Sequence, residues 1–304
     1  MRVTITGGTG LIGRRLVRAL VARGDEVTVL SRSPERARDA LGVDAVGWQP
    51  LANPAPASAL SGRDAVVHLL GENVAQRWTE DARRSIRETR ELGTRNLVAG
   101  LAAADPRPAA LVSASAVGYY GPRGEERVTE ATPAGTDFLA QVCVAWEREA
   151  GAAADLGLRV VRVRTGVVLD REGGALAKML PPFALGIGGP VAGGRQYVPW
   201  IHAADVVGVY LRALDEASWS GAYNATAPDP VTNDAFSKAL GRALRRPAVL
   251  PVPALALRAL YGGMAEIVTE GQRAVPERAL QAGYAFRHTD VEAALRDALR
   301  RERA

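Results

Sequence analysis

Cysteine is nearly absent: Cys143 is the single one in 304 residues. That excludes an intrachain disulfide and a zinc site built on thiolates, and it points to a reducing compartment. Lysine is almost as scarce, with Lys178 and Lys238 alone among 38 basic residues. The net charge of +5 is carried by arginines that alternate with acids, as in "EDARRSIRETRELGTR", the pattern of a solvated helix face. Aromatics make up 5% and never interleave with a basic run, so the stacking platform of a nucleic-acid binder is missing. No run of eighteen apolar residues occurs, and the chain enters a strand pattern at once, without a basic leader. These absences predict a soluble cytoplasmic protein with a small-molecule substrate and no nucleic-acid or membrane partner. A monomer and a homodimer are both compatible with them.

What is present is a 47% apolar chain with alternating strand and helix patterns. "RVTIT" (2–6) leads through "GGTGLIG" into "RRLVRALVARG", followed by strand runs at 26–30, 64–71, 109–115 and 159–168. Helical patterns fill 79–104 and 138–155 between them. Strands separated by helices of this length require parallel pairing with right-handed crossovers. The expected class is α/β, a doubly wound parallel sheet with a smaller mixed α+β C-terminal lobe. The expected division is a nucleotide-binding domain over 1–168 plus about 202–226, and a substrate lobe over 169–201 and 227–304.

Gly7, Gly10 and Gly13 stand between the first strand and its helix, with Thr9, Leu11 and Ile12 among them. Glycine there allows a left-handed turn, close approach of a pyrophosphate and tight helix–strand packing, the signature of a dinucleotide-binding Rossmann unit. The helix N-terminus adds free N–H groups for the phosphates. An acid at the end of the second strand would bind a ribose 2′-hydroxyl, but the chain reads Leu30, Ser31, Arg32. A guanidinium pairs with a 2′-phosphate, so NADP(H) is the expected cofactor, the alternative being an ordinary solvated arginine.

With these motifs the chain resembles the extended short-chain dehydrogenase/reductases, and more closely an atypical epimerase-like branch of unknown substrate. The matching stretches include "LLGENVAQRWT", "SASAVGYYG", "RTGVVL", "GGPVAGGRQYVPWIHAADVV" and "EGQRAVPERALQAGYAF". The resemblance implies that Leu70, Gly71 and Glu72 pass the adenosine and ribose, and that Asn73, Arg77 and Trp78 line the cleft mouth. It implies that Ser113 and Ser115 meet ribose or substrate, and that Val167 and Val168 offer backbone hydrogen bonds to the carboxamide. Packing is the alternative for each.

The Tyr-x-x-x-Lys pair usual in that family falls on Leu139 and Cys143, so neither member is present. Half-ionising an ordinary tyrosine at pH 7 needs about 4 kcal/mol, which no lysine one turn away supplies. A neutral phenol still donates a proton. Tyr119 and Tyr120, with Ser115, are therefore the catalytic candidates, acting in reduction of a carbonyl. Cys143 reads as a buried apolar residue, His68 as part of a buried strand and His288 as near an exposed tail. His202, at a strand-to-helix junction that faces the cleft in such folds, is a candidate to cap or donate to Asp205, a purely structural role being the alternative. In the lobe, Arg195 is the expected clamp for an anion, Gln196 its orienting amide and Trp200 an apolar wall, with Gln272 and Arg273 adding to them. Gly263 stands where the family's acid is usual. Three readings follow: a reductase of a small anionic carbonyl compound, a catalytically silent NADPH-binding sensor, and a sugar-nucleotide epimerase.

Overall fold

The strands form because short β-branched runs have both faces to bury, and an all-parallel sheet covers both. In the computed structural model, which describes residues 1–300 apart from the side chains of Leu260 and Tyr261, seven such runs make the sheet. They are β1 (Arg2–Thr6), β2 (Glu26–Ser31), β3 (Asp44–Gly47), β4 (Ala65–His68), β5 (Ala110–Ala116), β6 (Arg159–Thr165) and β7 (Gly221–Ala225). Their order is β7-β6-β5-β4-β1-β2-β3, with every pair parallel. Residues 301–304 of the expected lobe lie outside the described residues.

Period-two alternation sends Val3, Ile5, Val27, Val29 and Val67 to one face, against helices α1 (Leu11–Ala22) and α6 (Ala203–Asp215). Leu30, Val66 and Leu111 face the other way, toward α3 (Glu80–Ala102) and α4 (Phe138–Gly151). Between them lie α2 (Pro34–Leu41) and, further on, α5 (Gly174–Ala184) and α7 (Asn233–Leu244). Because the chain leaves β1 toward β2 on one side and returns to β4 on the other, the crevice of the fold opens at the carboxyl ends of these strands.

The smaller lobe is entered by a strand, Val167–Leu169, that pairs in parallel with Trp200–His202. Its own core gathers Leu169, Leu176, Phe183, Trp200, Phe236, Leu240 and Leu295. Trp200 is fully buried there and its indole N–H donates to Asp229 O at 3.1 Å. The expectation of an apolar cleft wall is corrected: a residue facing both lobe layers has no surface left for a ligand. Among the described residues, no helix is long and apolar enough to cross a membrane.

Two histidines are structural. His68 bridges β1 to α3, with Nδ1 2.8 Å from Thr6 Oγ1 and Nε2 2.9 Å from Thr94 Oγ1. Since Thr94 spends its proton on Arg90 O, the network assigns the ring proton to Nε2. His202 caps α6 through Nδ1, which accepts from Ala204 N at 3.1 Å. It stacks on His288 with ring centroids 3.8 Å apart. Asp205 bonds His288, not His202, accepting from its Nδ1 at 3.1 Å and from the backbone N–H of Arg287 and His288. The expectations are thus corrected on two points: His202 is 7% exposed rather than open to the cleft, and His288 is half-buried rather than part of an exposed tail.

Burial pushes His68 down to about 3, and burial with the neighbouring His288 pushes His202 down to about 4. Both rings therefore take up protons in the unfolded chain before they do so in the folded one. Their stabilisation is complete above the ordinary value of 6.5 and is lost as pH falls through that value toward 4 and then 3. Between about pH 7 and pH 5 each ring costs roughly 2 kcal/mol. The urea midpoint is expected to fall over this range, with a flatter fall in His68→Gln. A level midpoint in the parent protein would contradict this account.

Candidate functional site

The site is assembled at the carboxyl edge from loops that the strands deliver there. Gly7 has φ +69° and its Cβ would lie 2.7 Å from Leu69 O. At Gly13 a Cβ would lie 2.3 Å from Gly7 O, so α1 sits against the turn as only glycine permits. Gly10 caps α1 without a side chain, and Thr9 is exposed beside it, with Leu11 and Ile12 half-buried in the first turn. The first amides of α1 have no intrahelical acceptor and open on the crevice, a cradle for a diphosphate.

At the end of β2, Ser31 Oγ accepts from Ser33 N at 3.1 Å. Arg32 is exposed, and no described residue holds its guanidinium by a hydrogen bond or ion pair. After β4, Leu70 packs into the core below α3, while Gly71 is exposed. Glu72 N–H donates to Thr89 Oγ1 at 3.0 Å, and Asn73 Oδ1 accepts from Ala75 N at 2.9 Å. Arg77 is exposed; Trp78 is half-buried against Phe138, edge to face at 5.2 Å, under the Arg83 guanidinium. Lys178 of α5 donates to Ala75 O, so the lobe closes on this loop. Gly263 lies over the same corner, where a Cβ would stand 3.3 Å from the Trp78 ring.

The β5 residues behave differently from expectation. Ser113 is buried and donates to Ala114 O at 3.1 Å; Ser115 is buried and donates to Glu147 Oε1 at 2.7 Å. Glu147 also takes a forked pair of bonds from Arg164, at 2.7 and 2.8 Å. Burial disfavours the Arg164 charge, but the bonds to Glu147 outweigh it and hold the guanidinium above its ordinary range. Tyr120 is fully buried, donating to Asn224 Oδ1 at 2.7 Å and accepting from Arg164 Nη1 at 2.9 Å. Its burial pushes it up to about 12. Ser115 and Tyr120 are therefore corrected as proton donors to a substrate: both hydroxyls are committed inside the protein. Tyr119 is half-buried, with the Arg164 guanidinium 3.5 Å from its ring centre.

Cys143 is buried and pushed up to about 12 by that burial, which removes it as a thiolate nucleophile. Val167 and Val168 are half-buried, and the Val167 N–H is spent on Pro199 O at 2.8 Å, so the hydrogen bonds expected of this segment fall to its other backbone groups. Gln196 pins the lobe, donating to Val191 O and Val268 O at 3.1 and 2.8 Å. Arg195 is exposed. The two lobe motifs do meet: a Cβ on Gly271 would lie 2.2 Å from Tyr197 O, and the Arg273 guanidinium lies 5.3 Å from the Tyr197 ring.

Sequence reasoning missed the Glu147–Arg164 pair, whose signal was a run of three arginines in RVVRVRT, a strand flanked by others on both sides of the sheet. It also missed Arg90, hidden among solvated arginines of α3. A separate groove of about 370 Å³ at the amino edge, lined by Arg2, Arg63, Arg107 and Arg159, lies on the far side of the sheet. There Arg159 is spent on Ala213 O, Leu214 O and Trp219 O, and Arg63 on Glu26.

Known proteins share this architecture. The profile of the NAD dependent epimerase/dehydratase family matches residues 3–225, and that of a domain of unknown function, DUF1731, matches 252–298. The chloroplastic homologue of epimerase family protein SDR39U1 from Arabidopsis thaliana is 40% identical, over 97% of this chain and 86% of its own. The crystal structure of human epimerase family protein SDR39U1 (isoform 2) with NADPH superposes with a TM-score of 0.87 at 37% identity, covering 98% and 99% of the two chains. A nucleoside-diphosphate sugar epimerase from Corynebacterium glutamicum gives 0.81 at 35% identity, over 98% of this chain and 58% of that one. With its sheet matched by one profile and relatives aligned nearly end to end, the chain belongs to the NAD dependent epimerase/dehydratase family, the extended short-chain dehydrogenase/reductase group that its motifs resemble.

Proposed function

We propose that the protein binds NADP(H) and reduces the carbonyl of a small anionic compound. The observation that carries the cofactor half is Arg32: an exposed guanidinium, unclaimed by any described residue, at the end of β2 beside the glycine cradle, where no carboxylate competes. The human relative crystallised with NADPH supports the same reading. Arg32→Asp is expected to weaken NADPH by roughly 10- to 100-fold while changing NADH little, measured by titration of nicotinamide fluorescence. Equal loss of both nucleotides, or of neither, would remove Arg32 from the 2′-phosphate.

When bound, the reduced dinucleotide supplies a hydride. A carbonyl that takes the hydride at carbon needs a proton at oxygen, and the chain must deliver it. Tyr119 is the better of the two tyrosines for that, because it keeps solvent-accessible surface while Tyr120 is sealed. A neutral phenol suits reduction; oxidation of an alcohol would ask for a base that Leu139 and Cys143 do not supply. Arg195 and Arg273 are the groups that would hold the anion. In a screen of 2-oxo acids and related anionic carbonyls, NADPH consumption is expected, and Tyr119→Phe is expected to lower kcat at least tenfold with the NADPH Kd unchanged. Normal turnover in that variant would clear Tyr119 of the role.

A second reading, an NADPH-binding protein without turnover, is favoured by the missing Tyr-x-x-x-Lys pair. Tight NADPH binding with no hydride transfer to any carbonyl in the screen would select it.

A further inference from the structure

Arg90 is a cation with an unspent arm at the spot where the family's lysine is missing. It stands on α3, half-buried, with Nη1 donating to Glu72 O at 2.9 Å and Ile86 O at 3.1 Å. Its guanidinium lies 5.0 Å from the ring centre of Trp146, one turn beyond Cys143 on the same face of α4. Burial lowers its pKa, with Cys143 and Glu72 as the nearby electrostatic partners that oppose the shift. Among the described residues no carboxylate pairs with it and no acceptor takes its Nη2. A largely desolvated guanidinium whose Nη2 has no acceptor is costly, and the cost is relieved when one arrives.

Gly71, at the exposed end of β4, packs directly against this guanidinium: a Cβ built on it would stand 2.9 Å from Arg90 Nη2 and 3.0 Å from Cζ, so only glycine lets the loop after β4 come this close to the arm. The backbone behind Arg90 is held: its carbonyl accepts from Thr94, which accepts from His68 at 2.9 Å in β4. The arm thus projects from an anchored turn to the ends of β4 and β5. A dinucleotide whose diphosphate sits on the α1 cradle and whose 2′-phosphate meets Arg32 at β2 must extend its other half toward those same ends.

We infer that Arg90 takes the place of the missing lysine as a positioning residue, donating from Nη2, beside Gly71, to the diol of the nicotinamide-side ribose. This rests on the NADP(H) reading above. A guanidinium placed there holds the ribose with a fork of donors and, being permanently charged, never acts as an acid or base itself.

Binding of NADPH and of 2′,5′-ADP, which carries only the phosphorylated adenosine half, tests the assignment by calorimetry. Arg90→Met is expected to weaken NADPH by roughly 10- to 100-fold and to leave 2′,5′-ADP unchanged, with partial recovery in Arg90→Lys. Retained 2′,5′-ADP binding doubles as proof that each variant is folded. Unchanged NADPH affinity in Arg90→Met overturns the inference, as does equal loss of both ligands, which would make Arg90 a structural residue. A parent protein that binds neither ligand overturns the NADP(H) reading itself and Arg90's role with it.

Discussion

A buried ion pair between Glu147 of α4 and Arg164 of β6 governs the half of the sheet where chemistry would take place. Its two forked bonds clamp α4 to the sheet, and it recruits Ser115 from β5. Through the other end of the guanidinium it reaches Tyr120, whose hydroxyl passes the network to Asn224 of β7. Asn224 in turn donates to Val275 O in the C-terminal segment. Removing one partner of such a pair leaves an uncompensated buried charge, typically worth about 3–5 kcal/mol. The pair therefore explains at once why α4 lies where it does and why Ser115 and Tyr120 have no hydroxyl left for a substrate.

Three arginines illustrate how the same side chain takes different roles according to its partners. Arg164 is saturated by Glu147, and the Tyr119 ring lies beneath it. Arg32 is exposed and unclaimed by any described residue. Arg90 is intermediate: its Nη1 is fixed by two backbone carbonyls, while Nη2 lies against Gly71 without an acceptor among the described residues.

The fold was largely legible because its determinants are local. Alternating β-branched runs, glycines at 7, 10 and 13, and helices of crossover length leave few topologies besides a parallel doubly wound sheet. The glycine turn after β1 and the exposed place of Arg32 after β2 were legible for the same reason, since each follows a strand within a few residues. Tyr120, Ser115 and Trp200 were misjudged because motif position locates a residue along the chain but not the direction of its side chain. All three turn inward, toward partners 104, 32 and 29 residues away.

By itself the sequence determined a dinucleotide-type sheet, an edge without a 2′-hydroxyl-binding acid, and the loss of the tyrosine–lysine pair. These are statements about which residue types occupy positions in local order. Only the tertiary structure decided which hydroxyls stay available, that His288 shares Asp205 instead of trailing into solvent, and that Arg90 stands beside Cys143. Each depends on contacts between segments far apart in the chain, where burial and hydrogen-bond partners are set by packing that no local pattern encodes.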